Sequence, residues 1–152
     1  MAEDGGGRSD GRQLFCRVIT PEEVIYDGEA NLIIARIADG DLGVLVDHSP
    51  LVSTVEVGEV RIKEGDDDQL VYATSDGFFK VSENLVQVLV EEAVSVEDID
   101  VDAAEDRVEE AERELTEVSE EAEDRDRVVA EIERRQRMGE NLVRLARKYG
   151  GS

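Results

Sequence analysis

The hydrophobic period of this chain changes abruptly at Val96, and no single type of element can satisfy both halves. Upstream, from Gln13 to Val96, apolar residues come in short runs rich in Val and Ile, separated by polar turns. In "EVRIKEG", Val60 and Ile62 alternate with Arg61 and Lys63, the period-two signature of a half-buried strand. In "NLVQVLVEEA", Val86, Val88 and Val90 share one face and are the core candidates, while Leu85, Gln87, Leu89 and Glu91 share the other. Asp27-Gly28, Asp39-Gly40 and Asp76-Gly77 read as tight turns, because Asp and Gly tolerate positive φ. "EGDDDQ" reads as a longer polar hairpin tip. Many short strands at this spacing predict a sandwich or barrel and argue against alternating strands and helices.

Downstream, Val101, Ala104, Val108, Ala111, Leu115, Val118 and Ala122 recur at alternating steps of three and four. That is the seam of a helix that packs on another helix. It predicts a helix over about 102–123, with Asp102 as N-cap and Glu105 as its capping-box partner. A second helix is expected over about 127–149, with Val128, Ile132, Met138, Leu142, Leu145 and Tyr149 on its apolar side. Gly139 interrupts it, at a cost of ~1 kcal/mol relative to Ala. The join, "AEDRDR", contains neither Gly nor Pro, so by itself it fits a hairpin or one bent helix. The expected fold class is an all-β N-terminal sandwich of about ten strands followed by a C-terminal α-helical hairpin. The expected domains are a disordered Gly-rich leader over 1–12, a sandwich over 13–97 and a helical region over 98–152.

Charge narrows the function. The formal net charge is −22, with lysine only at 63, 80 and 148. Nucleic acid and anionic lipid both need a basic surface, so neither is an expected partner. No window approaches the roughly 18–20 apolar residues of a membrane helix, so direct membrane insertion is not expected. The acids crowd the first helix. The last stretch instead carries Arg134, Arg135, Arg137, Arg144, Arg147 and Lys148 against Glu140 alone. Those cations either pair with the acidic first helix and the helix C-terminal dipole, or form a docking face for an acidic partner. The two readings are compatible.

Catalytic constellations are absent from the pattern. His48 is the only histidine, and it lies between Asp47 and Ser49. Adjacent strand residues point to opposite faces, so these three do not make a triad. Cys16, the only cysteine, lies in the apolar run "LFCRVI" and reads as a small core residue. One cysteine excludes an intrachain disulfide and suits a reducing compartment. No metal site, glycine-rich nucleotide loop or cofactor is expected.

The stretch "ADGDLGVLVDHSPLVSTVEVGEVRI", residues 38–62, resembles the epsilon subunit of F-type rotary ATP synthases. The matching residues are Gly40, Asp41, Leu42, Gly43, His48, Pro50, Leu51, Gly58, Arg61 and Ile62. The likeness runs on through "VYATSDGFFKVSENLVQVLVEEAV", with Gly77 as a hairpin glycine, and into "DIDVDAAEDRVEEAERELTE". It implies a β-sandwich at the foot of the rotating central stalk, followed by two regulatory helices. Gly40, Asp41, Leu42, His48, Pro50 and Val52 would form the surface meeting the gamma subunit and the membrane ring of c subunits. Arg134, Arg135, Arg137, Arg144, Arg147 and Lys148 would meet the beta subunit, with alpha as a further contact, when the tail inhibits ATP hydrolysis. The implied location is peripheral, at the cytoplasmic face of a bacterial plasma membrane or an equivalent organelle face.

The chain departs from the family pattern in three places. Val46-Asp47 stands where Pro-Gly is usual before the histidine, which predicts a changed backbone angle in that loop. In the ATP-binding motif of some members only Asp126 and Ala130 match, with Arg125 and Val129 in place of Ile and Arg, so weak or no ATP binding is expected. The first helix is unusually acidic. The alternative from another class is a free-standing β-sandwich adaptor that dimerises through its helical tail.

Overall fold

The computed structural model describes residues 12–65 and 68–150. The expected leader lies almost wholly outside them, as does part of the "EGDDDQ" tip. The chain divides into two compact units at Ser95–Val96.

The first unit contains β1 (Leu14–Ile19), β2 (Val24–Ala30), β3 (Leu32–Ile37), β4 (Gly40–Val44) and β5 (Leu51–Val55). It continues with β6 (Gly58–Lys63), β7 (Gln69–Thr74), β8 (Gly77–Ser82), β9 (Leu85–Val90) and β10 (Ala93–Ser95). They form two five-stranded sheets, ordered β2-β1-β9-β8-β5 and β10-β7-β6-β3-β4. Only the central β1–β9 pair is parallel; the other pairs are antiparallel. The sandwich expected from the strand pattern is therefore present.

Alternation builds the core. Leu14, Cys16 and Val18 of β1 are buried with Val86, Val88 and Val90 of β9 and with Phe79 and Val81 of β8. Ile33, Ala35, Val44, Val60 and Ile62 of the other sheet belong to the same cluster. Burial pushes the Cys16 thiol up to about 12, which keeps it protonated and inert, as its setting in "LFCRVI" suggested.

Two of the three expected turns are something else. Asp27 and Gly28 lie inside β2, where Gly28 pairs with Cys16 and Asp27 with Arg17. A Cβ on Gly28 would lie 3.0 Å from the Tyr26 hydroxyl oxygen, so this glycine makes room for a ring. The true β1–β2 turn is at 20–23, where the Thr20 amide donates to the Glu23 carbonyl and the Glu23 amide to the Thr20 hydroxyl. Asp76-Gly77 is not a hairpin either, because it joins β7 and β8, which lie in different sheets. Gly77 is required by close approach: a Cβ there would lie 2.1 Å from the Leu89 carbonyl oxygen. Asp39-Gly40 does turn the chain, with Gly40 at φ +121°.

The second unit is a helical hairpin, α1 (Val101–Glu117) and α2 (Arg125–Gly150). The N-cap of α1 is Asp100 and not Asp102; its carboxylate accepts from the Ala103 amide at 3.1 Å. The helix stops six residues short of the expected 123. Val118 turns extended, at φ −70° and ψ 128°, and the Ser119 hydroxyl accepts from the Glu121 amide. Ser119 thus offers the backbone a local partner that competes with the next helical turn, although the apolar spacing continues through Ala122. Asp124 restarts the helix, accepting from the Val128 amide through its carbonyl and from Arg127 through its carboxylate.

The seam on α1 buries only Ala104 and Ala111 fully, opposite Ile132, Met138, Leu142 and Leu145 of α2. Gly139 is not a break. It is buried inside α2, and a Cβ there would lie 2.8 Å from Val108 Cγ2 and 3.4 Å from the Ala104 carbonyl oxygen. The glycine therefore sets how closely the two helices approach. Gly139→Val should destabilise the hairpin by about 1–3 kcal/mol through overpacking. Far-UV circular dichroism melting checks this; an unchanged helix transition would refute the close-approach role.

Candidate docking surfaces

Three regions collect the residues singled out in the sequence. The first is the edge where the sheets meet. Strand β4 is the last strand of one sheet and β5 the last of the other, so the loop over 45–50 crosses between layers. Asp41 faces outward on β4, but its charge is not bare. One oxygen accepts from Arg36 Nε at 2.8 Å and the other from Arg61 Nη2 at 3.3 Å. Arg36 is its cross-strand partner, and the bond to Asp41 raises the arginine's pKa. Leu42 points the other way and packs against the core. Beside the β3–β4 turn lies an open hollow of ≈ 450 Å³ lined by Arg36, Ile37, Ala38, Gly40, Glu56 and Val57.

In the crossing loop the His48 amide donates to the Leu45 carbonyl at 3.2 Å, closing a four-residue turn. Its third residue, Asp47, has φ +68°. This is the pattern of a type II turn, in which the third position favours Gly. The changed backbone angle expected at Val46-Asp47 is not found; aspartate adopts the glycine-like conformation instead. The Asp47 carboxylate accepts from Asn84 Nδ2 at 3.2 Å and pairs with Arg12 at 3.1 Å. It is therefore engaged away from His48. The His48 ring Nδ1 lies 2.7 Å from the Ser49 carbonyl oxygen, so the ring is oriented by backbone. No nucleophile–base–acid arrangement is assembled here, and among the described residues no group of three ligating side chains could hold a metal ion.

The second region was missed in the sequence. The outward face of the β2-β1-β9-β8-β5 sheet carries exposed apolar side chains on either side of a polar middle row. Register aligns Ile19 with Val24, Leu89 and Phe78 across four strands. Phe15 aligns with Leu85 nearer the other end. Phe15 is 43% exposed, Phe78 58% and Val52, on the edge strand, 69%. Two of the chain's three phenylalanines thus face outward, and only Phe79 enters the core. The middle row holds Arg17, Gln87 and Lys80. The signal was present in "GFFKV": of two adjacent strand residues, one must face out.

The third region is the basic series on α2. The structure does not gather it into one free patch. Arg135 makes a two-point contact with Glu114 of α1, at 2.7 and 3.2 Å, and Arg147 pairs with Glu105 at 2.9 Å. Arg144 donates to the Asn141 side chain, and Lys148 Nζ lies 5.1 Å from the Tyr149 ring centroid. Arg134 and Arg137 are exposed. Internal complementarity between the acidic and basic helices is therefore realised at Arg135 and Arg147. In the nucleotide motif, Asp126 projects into solvent with Arg125 Nη1 3.9 Å away, and Ala130 is exposed.

The architecture is a β-sandwich with exposed apolar side chains on one sheet face, followed by a charge-paired helical hairpin. Comparisons with known proteins identify the family. The family described as "ATP synthase, Delta/Epsilon chain, beta-sandwich domain" matches residues 13–96. An ATP synthase epsilon chain from Rubrobacter xylanophilus is 62% identical over 143 residues, covering 93% of this chain and 97% of the relative. A sodium-ion-specific ATP synthase epsilon chain from Propionigenium modestum is 33% identical, covering 87% and 92%. A chain of the Euglena gracilis mitochondrial ATP synthase, in a structure of OSCP, F1 and c-ring, shares the fold with a TM-score of 0.66. It is 23% identical, covering 93% of this chain and 88% of that one. The chain belongs to the ATP synthase epsilon-chain family.

The hairpin's ion pairs carry a pH signature. Hydrogen bonding to Arg135 lowers the Glu114 pKa from its ordinary value of 4.5. The carboxylate form is favoured in the folded hairpin, so its contribution is full above about 4.5 and is lost as pH falls through the depressed value. Glu114→Gln should therefore lower hairpin stability at neutral pH. The gap between variant and parent should close in acid; a gap that persists at low pH would show that packing, not the ion pair, is at stake.

Proposed function

We propose that the chain is a non-catalytic central-stalk subunit of an F-type ATP synthase. It couples rotation of the c-subunit ring to the catalytic head through gamma, and restrains ATP hydrolysis through its helices. The observation that carries this reading is the apolar outward sheet face, within the domain that matches the family. Large apolar side chains left exposed on one sheet face, Phe15, Phe78 and Leu89 among them, support an interface in a chain otherwise so strongly charged. Gly40, Asp41, His48, Pro50 and Val52 would continue this surface around the sheet edge toward the ring and gamma, while Leu42, which packs inward, would support it from below. Asp41, neutralised by Arg36 and Arg61, offers an ordered ion-pair surface in place of a bare charge.

For the helices, the reading assigns Arg134, Arg135, Arg137, Arg144, Arg147 and Lys148 to the beta subunit, with alpha alongside. Arg135 and Arg147 would have to leave Glu114 and Glu105 to serve it. The dimerising adaptor loses ground because the apolar seam that would join two tails is consumed within one hairpin. Among the described residues no catalytic group is assembled, and on this reading the chain binds as a structural part. No helix among the described residues is long and apolar enough to cross a membrane, in keeping with peripheral attachment at the cytoplasmic face.

Two variants test the halves of this reading in the reassembled complex. Phe78→Asp should leave the thermal midpoint of the free subunit nearly unchanged, because the side chain is exposed, yet abolish incorporation. Normal incorporation would remove the sheet face from the interface. Deletion of 101–152 should raise ATP hydrolysis while leaving ion-driven synthesis intact. Unchanged hydrolysis would show that the helices do not inhibit, and collapse of synthesis would make them structural.

A further inference from the structure

The crossing loop is tied down by a reciprocal pair that the turn itself does not need. Asn84 Oδ1 accepts from the Asp47 backbone amide at 2.6 Å, and Asn84 Nδ2 donates to the Asp47 carboxylate at 3.2 Å. Asn84 sits in the β8–β9 turn with φ +65°, beside Glu83 at φ +50°. Its own carbonyl accepts from the Phe15 amide at 2.8 Å. One side chain thus fastens the loop to the β8–β9 turn and, through Phe15, to the start of β1. Arg12 holds the second oxygen of Asp47.

Aspartate at positive φ is strained relative to glycine. Strain of this kind persists where surrounding bonds over-determine the conformation. The residues on either side are the exposed ones: Leu45 is 58% exposed and Val52 69%. We infer that the Asp47–Asn84 pair is a latch that holds the His48 loop in its docking shape before any partner arrives. Asp47 supplies by side-chain hydrogen bonds the rigidity that a Pro-Gly turn supplies by covalent restriction. A loop fixed in advance loses little entropy on docking, and a loop that samples other shapes binds in proportion to the fraction in the competent one.

This inference rests on the docking reading above, and one experiment separates the two. Three proteins are compared: Asp47→Gly, which allows the same φ but removes the carboxylate; Asn84→Gly, which keeps its turn but removes the amide; and the double change Val46→Pro with Asp47→Gly. Hydrogen exchange of the free protein reads the latch. Binding to the ATP synthase complex depleted of this subunit reads its use. Each single glycine variant should speed exchange at the Asp47 and His48 amides and weaken binding roughly 3- to 10-fold. The Pro-Gly variant should restore both without the carboxylate, keeping only the bond from the residue-47 amide to Asn84 Oδ1. Unchanged exchange in the single variants overturns the latch. Faster exchange with unchanged affinity overturns its role in docking. Failure of the parent chain itself to bind the depleted complex sinks the docking reading and leaves the exchange result to judge the latch alone.

Discussion

Burial of small β-branched side chains between two sheets is the constraint on which the rest depends. Val18, Val55, Val60, Val81, Val86 and Val88 are nearly inaccessible to solvent, and each fully buried side chain of this size contributes about 1.5–3 kcal/mol. Once those inward positions are filled, the outward positions are released from any duty to the fold. Phe15, Phe78 and Leu89 face solvent in register with the buried residues beside them. Nothing in the sandwich requires them to be apolar. Phenylalanines left on a sheet face by a protein that carries a charge of −22 are what the proposed docking of that face would call for.

The hairpin obeys a different constraint. Its buried contact is thin, with two alanines and a glycine at the closest approach, so backbone proximity stands in for bulk. Ion pairs at Glu114–Arg135 and Glu105–Arg147 flank that contact. All four side chains are at least partly exposed, so solvent screens both pairs and each adds little to stability. Such pairs orient the helices without welding them. They also reduce repulsion along α1, whose acids would otherwise face one another at helical spacing.

Legibility in the sequence followed the physical range of each interaction. Strand and helix periods are local, so the sandwich, the core valines and the break at Val96 could be read directly. Turn chemistry is local too, yet Asp27-Gly28 misled, because Gly28 answers to the Tyr26 ring and not to its neighbours in the chain. Gly139 misled for the same reason: its partners are Val108 and Ala104, on the other helix. The end of α1 was hidden because apolar spacing continued through Ala122 while Ser119 diverted the backbone. The arginines around Asp41 and the Asn84 partner of Asp47 lie 5 to 37 residues away in sequence. Only strand register brings them together.

The same distinction bears on the basic side chains of α2. A cation paired within the hairpin can serve a partner only by breaking that pair, so its availability is set by a difference of two affinities. Pairs as weak as these leave a modest barrier to exchange, which a partner's acidic surface can exceed with one or two better-desolvated contacts. Arg134, Arg137, Arg144, Arg147 and Lys148 are all exposed along the same helix, so an acidic surface of the proposed partner could reach each of them. Exposure therefore does not rank these cations; what separates Arg135 and Arg147 is the cost of breaking their pairs with Glu114 and Glu105.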